Sequence, residues 1–182
     1  MGGVNVPVPI AGKMGIHSFN FAWNSKTFTS LGQDPRVFGG NIPIASHDGS
    51  WVAWWSGAQY LYQDPCDPMK GWGLFGRFGT SEAKTNPIQY FMNFGIGGQS
   101  PLPGRKNDLF GIGWYYNEFS NELGPIATGL LGIGAGTTGI EIYYNYAVTD
   151  HFRITPDLQI VEPALTQANT ALVLGLRSQI DF

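Results

Sequence analysis

A small set of side chains carries whatever chemistry this sequence can do. Arg77, Arg153 and Arg177 supply hydrogen-bond donors, Glu141 and Asp157 supply acceptors, and Asn93 supplies both. Trp54, Phe75, Tyr115 and Tyr143 add flat apolar faces between them. Asn20, Asn117, Asn145, Gln159, Gln179 and Asp181 extend the same polar rows. No catalytic or metal-binding constellation accompanies them. His17, His47 and His151 stand apart, with no ligand spacing to one another or to Cys66, so zinc is not expected. Asp64 and Asp67 flank Cys66 as a turn signature before they suggest calcium. The GIGAG of Gly132–Gly136 is half a dinucleotide fingerprint, without the third glycine or a strand-to-helix context. The expectation is no enzyme, no cofactor and no metal: surfaces for contact rather than for catalysis.

What must position these groups is a set of strands. The closing stretch Thr170–Phe182, TALVLGLRSQIDF, shows the pattern. Leu172, Leu174, Leu176, Ile180 and Phe182 share one parity, broken only by Ser178, while Val173, Gly175, Arg177, Gln179 and Asp181 take the other. Successive strand residues point to opposite faces, so this is one apolar and one polar face. Similar alternation runs through Lys13–Thr29 (His17, Phe19, Phe21, Trp23 against Ser18, Asn20, Ala22, Asn24), Gly71–Thr80, Ile88–Gly97, Asp108–Phe119, Gly139–Val148 and Phe152–Val161. Ser50–Tyr62 is a further strand of less clean parity, with Trp51 and Trp55 opposite Trp54 and Tyr60. Pro156, in the middle of one strand, requires a bulge or a weak ladder position. No stretch has a 3.6-residue period.

Composition points the same way. The chain has 182 residues, of which 13% are charged, about half the usual soluble share. Aromatics reach 14% and glycines number 26, and the aromatic excess suits interfacial girdles or sugar-stacking surfaces. Net charge is −3 with interspersed signs, which argues against a nucleic-acid partner. Cys66 alone permits no internal disulfide. Met1–Gly12 reads as a turn region without the basic and apolar parts of a secretory signal. The uncharged run Leu123–Ile140 nominally reaches transmembrane-helix length, but Pro125 and its glycines make it a loop.

About eight segments therefore alternate greasy and wettable faces at the length a tilted strand needs to cross a bilayer. The fold expected is an all-β transmembrane antiparallel barrel. With Phe182 on the periplasmic side, the outer connections are Ser30–Gly49, Ser81–Pro87, Leu123–Thr138 and Glu162–Asn169. The inner ones are Gln63–Lys70, Gly98–Asn107 and Thr149–His151, and the longest two are both outside. Trp23, Trp114, Tyr144 and Tyr146 are expected on the outward face, against lipid.

The stretches FTSLGQDPR (Phe28–Arg36), QYLYQDPCDP (Gln59–Pro68), GWGLFGRFG (Gly71–Gly79), NPIQYFMNFGIGG (Asn86–Gly98), PGRKNDLFGIGWYY (Pro103–Tyr116) and the closing TPDLQIVEPA and TALVLGLRSQIDF resemble the carbohydrate-selective porins of Gram-negative outer membranes, the OprB type. The resemblance runs over essentially the whole chain in order. It implies a barrel of about 16 strands that passes sugars by diffusion. Family members are longer, and this chain resembles their C-terminal half. The partners implied are sugars, outer-membrane lipid and an N-terminal half of the barrel, with a homotrimer left open.

If the polar rows face a lumen, their mixed donors and acceptors can replace a sugar's water shell, and Trp54, Phe75, Tyr115 and Tyr143 can stack on pyranose faces. Passage requires such contacts to be weak and multiple. The plainer reading of the same residues is cross-strand pairing that holds the wall. Two other architectures fit the zigzag: a small closed eight-stranded barrel with a structural or adhesive role, and a soluble glycan-binding β-sandwich.

Overall fold

Alternation of side chains, rather than a buried apolar centre, organises the fold. A computed structural model of the chain describes residues 1–40, 42–124 and 126–181. They form one antiparallel sheet of nine strands in sequence order. The strands are β1 (Gly2–Pro7), β2 (Gly15–Thr29), β3 (Ser46–Asp64), β4 (Asp67–Ser81), β5 (Ile88–Gln99), β6 (Leu109–Phe119), β7 (Gly136–Ala147), β8 (Phe152–Glu162) and β9 (Ala171–Ile180). Phe182, the expected end of the last apolar row, and Pro125, expected in the glycine-rich loop, lie outside the described residues.

Among the described residues no hydrophobic side chain is buried. The buried side chains are polar: Asp64, Ser81, Gln99, Ser100, Asp108, Ser120, Thr155 and Asp157. Phe19 is 56% exposed and Leu174 77%, each in a continuous apolar row with its strand neighbours. A soluble sheet could not leave such rows to water, whereas in a bilayer they are the lipid-facing surface.

The structure corrects several boundaries. Met1–Gly12, expected to be a turn region, contains β1, which pairs with β2 from Gly2↔Phe21 to Pro7↔Ile16. Its zigzag of Val4 and Val6 against Gly3 and Asn5 is short and diluted by glycine and proline. Pro7 is the last residue of β1, so its missing N–H falls at the strand's end rather than inside it. The turn Gln63–Lys70 shrinks to Pro65 and Cys66, since Asp64 ends β3 and Asp67 begins β4. Asp64 Oδ1 accepts from Cys66 N (2.9 Å) and Asp67 Oδ1 from Met69 N (3.2 Å), the side-chain turns their residue type favours. The Leu123–Ile140 run holds a π turn, Ile126–Leu130, and the start of β7. Because the sheet is single and its end strands β1 and β9 do not pair with each other, neither the closed eight-stranded barrel nor the two-layered sandwich describes it.

Pro156 sits inside β8 as expected of a weak ladder position. The β7–β8 register is the same on both sides, Tyr143↔Asp157 and Tyr146↔Ile154, but the rungs between are missing. Proline has no N–H to give there. Asn145 Nδ2 donates to Thr155 Oγ1 (2.7 Å) and bridges the gap with side chains.

The connections alternate ends. Those at 30–45, 82–87, 120–135 and 163–170 share one end and are knitted together. Leu31 N donates to Lys84 O (2.8 Å), Ser120 N to Pro87 O (2.9 Å) and Gly134 N to Ala164 O (2.7 Å). Within the first of them, Asp34 caps the turn Pro35–Gly39 and pairs with Arg36 (2.6 Å). That guanidinium, then the Arg36 backbone N–H, hold the Asp34 carboxyl down at about 2.

Candidate functional site

The register places every expected contact residue on one face of the sheet. One rung reads Arg77↔Asn93↔Tyr115↔Gly139 across β4 to β7. The next reads Phe75↔Gly95↔Gly113↔Glu141↔Gln159, and the one below it Gly73↔Gly97↔Gly111↔Tyr143↔Asp157↔Gly175. Trp54 lies on the same face opposite Gly79, and Thr155↔Arg177 and Arg153↔Gln179 continue it on β8 and β9. The opposite face carries Phe19, Leu74, Phe94, Ile112, Trp114, Leu172 and Leu174.

Among the described residues, charges on the polar face are paired across strands at one place. Arg177 Nε lies 3.2 Å from Asp157 Oδ2, and its Nη2 lies 3.5 Å from Glu141 Oε1. Three strands thus contribute one cation and two carboxylates. Asp157 is buried because its carboxylate lies over Gly175, where a Cβ would collide with it. Arg177 remains largely exposed. A concavity of about 480 Å³ beside this cluster is lined by Tyr143, Asn145, Thr155, Arg177 and Gln179, among others. Arg153 is separate: its Nη1 donates to Asn107 O (2.9 Å) and Asn145 Oδ1 (3.1 Å) and ties the 100–108 turn to the wall. Arg77 enters no ion pair among the described residues.

The aromatic residues of this face use the glycines of their neighbours. The Phe75 ring crosses Gly95, the Tyr143 ring crosses Gly111, and the Tyr115 ring crosses Gly139, each occupying the place a Cβ would need. Glycine there removes the obstacle, so each ring leans along the wall instead of standing into the space above it.

A polar cluster at the opposite end from the long connections was not expected. Asp108 is 1% exposed and receives Arg105 Nε (2.6 Å), Arg105 Nη2 (2.7 Å), Tyr144 Oη (2.8 Å) and Ala147 N (2.9 Å). The Arg105 guanidinium also lies 3.8 Å over the Tyr146 ring. Tyr144 and Tyr146 lie on the apolar face of the sheet with Ile112 and Trp114, and there they clamp the 100–108 turn. Next to them, Lys106 Nζ reaches Asp64 (3.1 Å). The sequence signal was the run of charges in Arg105–Asp108, which the proline-rich context made look like an ordinary turn. Among the described residues no group of His, Cys, Asp and Glu side chains is arranged to hold a metal.

Comparison with known proteins gives this geometry a context. The model of the family "Carbohydrate-selective porin, OprB family" matches residues 10–182. The chain is 24% identical over 151 residues to Porin B of Pseudomonas aeruginosa, covering 74% of this chain and 33% of that protein. It also superposes on a solved chain described as the high pH structure of Pseudomonas putida OprB, with a TM-score of 0.85 at 20% identity, over 99% of this chain and 47% of that one. The sheet is thus similar in fold to about half of a porin, and spans a third to a half of the length of these relatives.

Proposed function

The chain belongs to the carbohydrate-selective porin family of the OprB type, and from that premise we propose that its polar face lines a passive route for sugars. Members of the family are outer-membrane proteins of Gram-negative bacteria, and they are channels rather than enzymes. The observation that carries the proposal is the separation of faces: exposed apolar rows on one side, and on the other Arg77, Arg153, Arg177, Glu141, Asp157 and Asn93 interleaved with Trp54, Phe75, Tyr115 and Tyr143. Neutral sugars offer many hydroxyls, which a lining of both signs can hold weakly and release. The long, interlinked connections lie on the outer side in this reading. Strands β1 and β9 each keep one open edge, so further strands of the family's barrel complete the wall.

The test is swelling of proteoliposomes that hold the complete barrel of which this sheet is part, in isotonic glucose, with a large dextran as the impermeant reference. Swelling in glucose and none in dextran is expected. Absence of glucose-driven swelling overturns the proposal.

The charge cluster gives a second measurement. Arg177→Gln leaves Asp157 and Glu141 without their shared cation, so the lining becomes more negative. In planar bilayers with a salt gradient, the reversal potential is expected to move toward cation preference, by a few-fold in permeability ratio at low salt, with the shift shrinking as salt rises. An unchanged reversal potential would mean that Arg177 does not face the conducting space.

A further inference from the structure

We infer that Gly113 is the floor of a subsite for a single pyranose ring. The inference rests on the sugar-channel reading and says where on the wall a sugar makes contact. Gly113 sits at the centre of the polar face, between Gly95 on β5 and Glu141 on β7. The rings of Phe75, Tyr115 and Tyr143 surround it, together with the Asn93 amide and the Glu141 carboxylate, around a hollow of about 160 Å³. This is well below the volume of a drug-sized pocket, and suits one sugar ring rather than an oligosaccharide.

What singles Gly113 out is the space above it. The three aromatic rings lie over Gly95, Gly139 and Gly111, so those glycines are covered. At Gly113 an added Cβ would meet nothing nearer than the Phe75 Cζ at 3.7 Å. The rings therefore form a rim and leave a bare patch of backbone between them. A pyranose has an apolar C–H face and a belt of hydroxyls. The aromatic rim suits the first, by the stacking that apolar ring faces favour. Asn93 and Glu141 suit the second, as a donor–acceptor and an acceptor at the margin. Arg77 pairs in register with Asn93, and Arg177 contacts Glu141 at 3.5 Å, so each polar group has a cation beside it. An open-chain polyol presents the same hydroxyls without the flat face, which is how ring recognition can be told from simple hydrogen bonding.

The experiment is saturation-transfer NMR on the protein in detergent micelles, with D-glucose and sorbitol as probes. Glucose is expected to bind weakly and sorbitol more weakly still. Gly113→Leu fills the hollow from an uncrowded position and is expected to weaken glucose binding by about tenfold. Phe75→Leu and Tyr143→Leu, with β-sheet content checked by circular dichroism, are expected to weaken it in the same direction, which covers the case of a misfolded Gly113 variant. Equal binding of glucose and sorbitol, or glucose binding unchanged in all three variants, overturns the subsite. Failure of the swelling assay with intact, Gly113-dependent glucose binding would instead remove the channel reading and leave a glycan-binding wall.

Discussion

Asp108→Ala is expected to destabilise the fold by about 3 kcal/mol, because it strands three partners at once. Its carboxylate sits in the turn before β6, is 1% exposed, and accepts from the Arg105 guanidinium, the Tyr144 hydroxyl and the Ala147 backbone N–H. Removing it leaves a guanidinium over the Tyr146 ring with no counter-charge and the backbone N–H at the end of β7 with no acceptor. Tyr144→Phe removes one of these bonds and should cost about 1 kcal/mol. The checking measurement is the urea midpoint of the protein refolded in micelles. Acid gives an independent reading. Burial pushes the Asp108 carboxyl up, but the bonds from Arg105, Ala147 and Tyr144 together hold it below its ordinary value. A carboxylate depressed on folding contributes stability that is complete above its unfolded pKa, about 3.9, and is lost as pH falls through the lower folded value. The wild-type midpoint should therefore fall in that acid window more than the midpoint of Asp108→Ala does. Equal midpoints for the two proteins at neutral pH would refute the clamp.

The face a residue takes was legible from the sequence; the neighbour it meets was not. Two-residue alternation in Phe110–Tyr116 and Leu172–Ile180 assigns each side chain to a side without any knowledge of pairing, because parity is a local property of a strand. All the expected contact residues accordingly share a face. Which residues touch depends on register, and register is set by where turns and bulges fall. Thus Arg177, Asp157 and Glu141 could be placed on the polar side, yet their ion cluster appears only once β7, β8 and β9 are aligned. The hollow at Gly113 was invisible for the same reason: the rings that frame it come from β4, β6 and β7. β1 escaped notice because Gly2, Gly3 and Pro7 leave only Val4, Asn5 and Val6 to show a zigzag.

Gly71→Ala is expected to be among the most damaging single-atom additions in the wall, and it separates the roles that glycines play there. Strand β3 carries an extra residue between Tyr60 and Tyr62 and a second irregularity between Gln63 and Asp64. Such bulges bend a strand and press its backbone toward the partner. Gly71 lies opposite, paired with Gln63, at φ +152°, a conformation that side-chain-bearing residues rarely adopt. A Cβ there would overlap the Tyr62 carbonyl oxygen and stand 3.0 Å from Gln63 Cα. Both atoms belong to backbone and cannot swing aside, so the β3–β4 pairing must shift. The cost should be about 3 kcal/mol, read as a lowered urea midpoint and a smaller folded fraction in micelles. Gly113→Ala is the contrast. Its Cβ has room, and in a strand interior alanine loses less chain entropy than glycine, so this variant should match the wild type or exceed it by about 0.5 kcal/mol. If Gly71→Ala refolds as well as Gly113→Ala, the bulge does not need that glycine. If the two diverge as expected, the glycines near β3 are there for the backbone, those under Phe75, Tyr115 and Tyr143 for the rings, and Gly113 for the empty space.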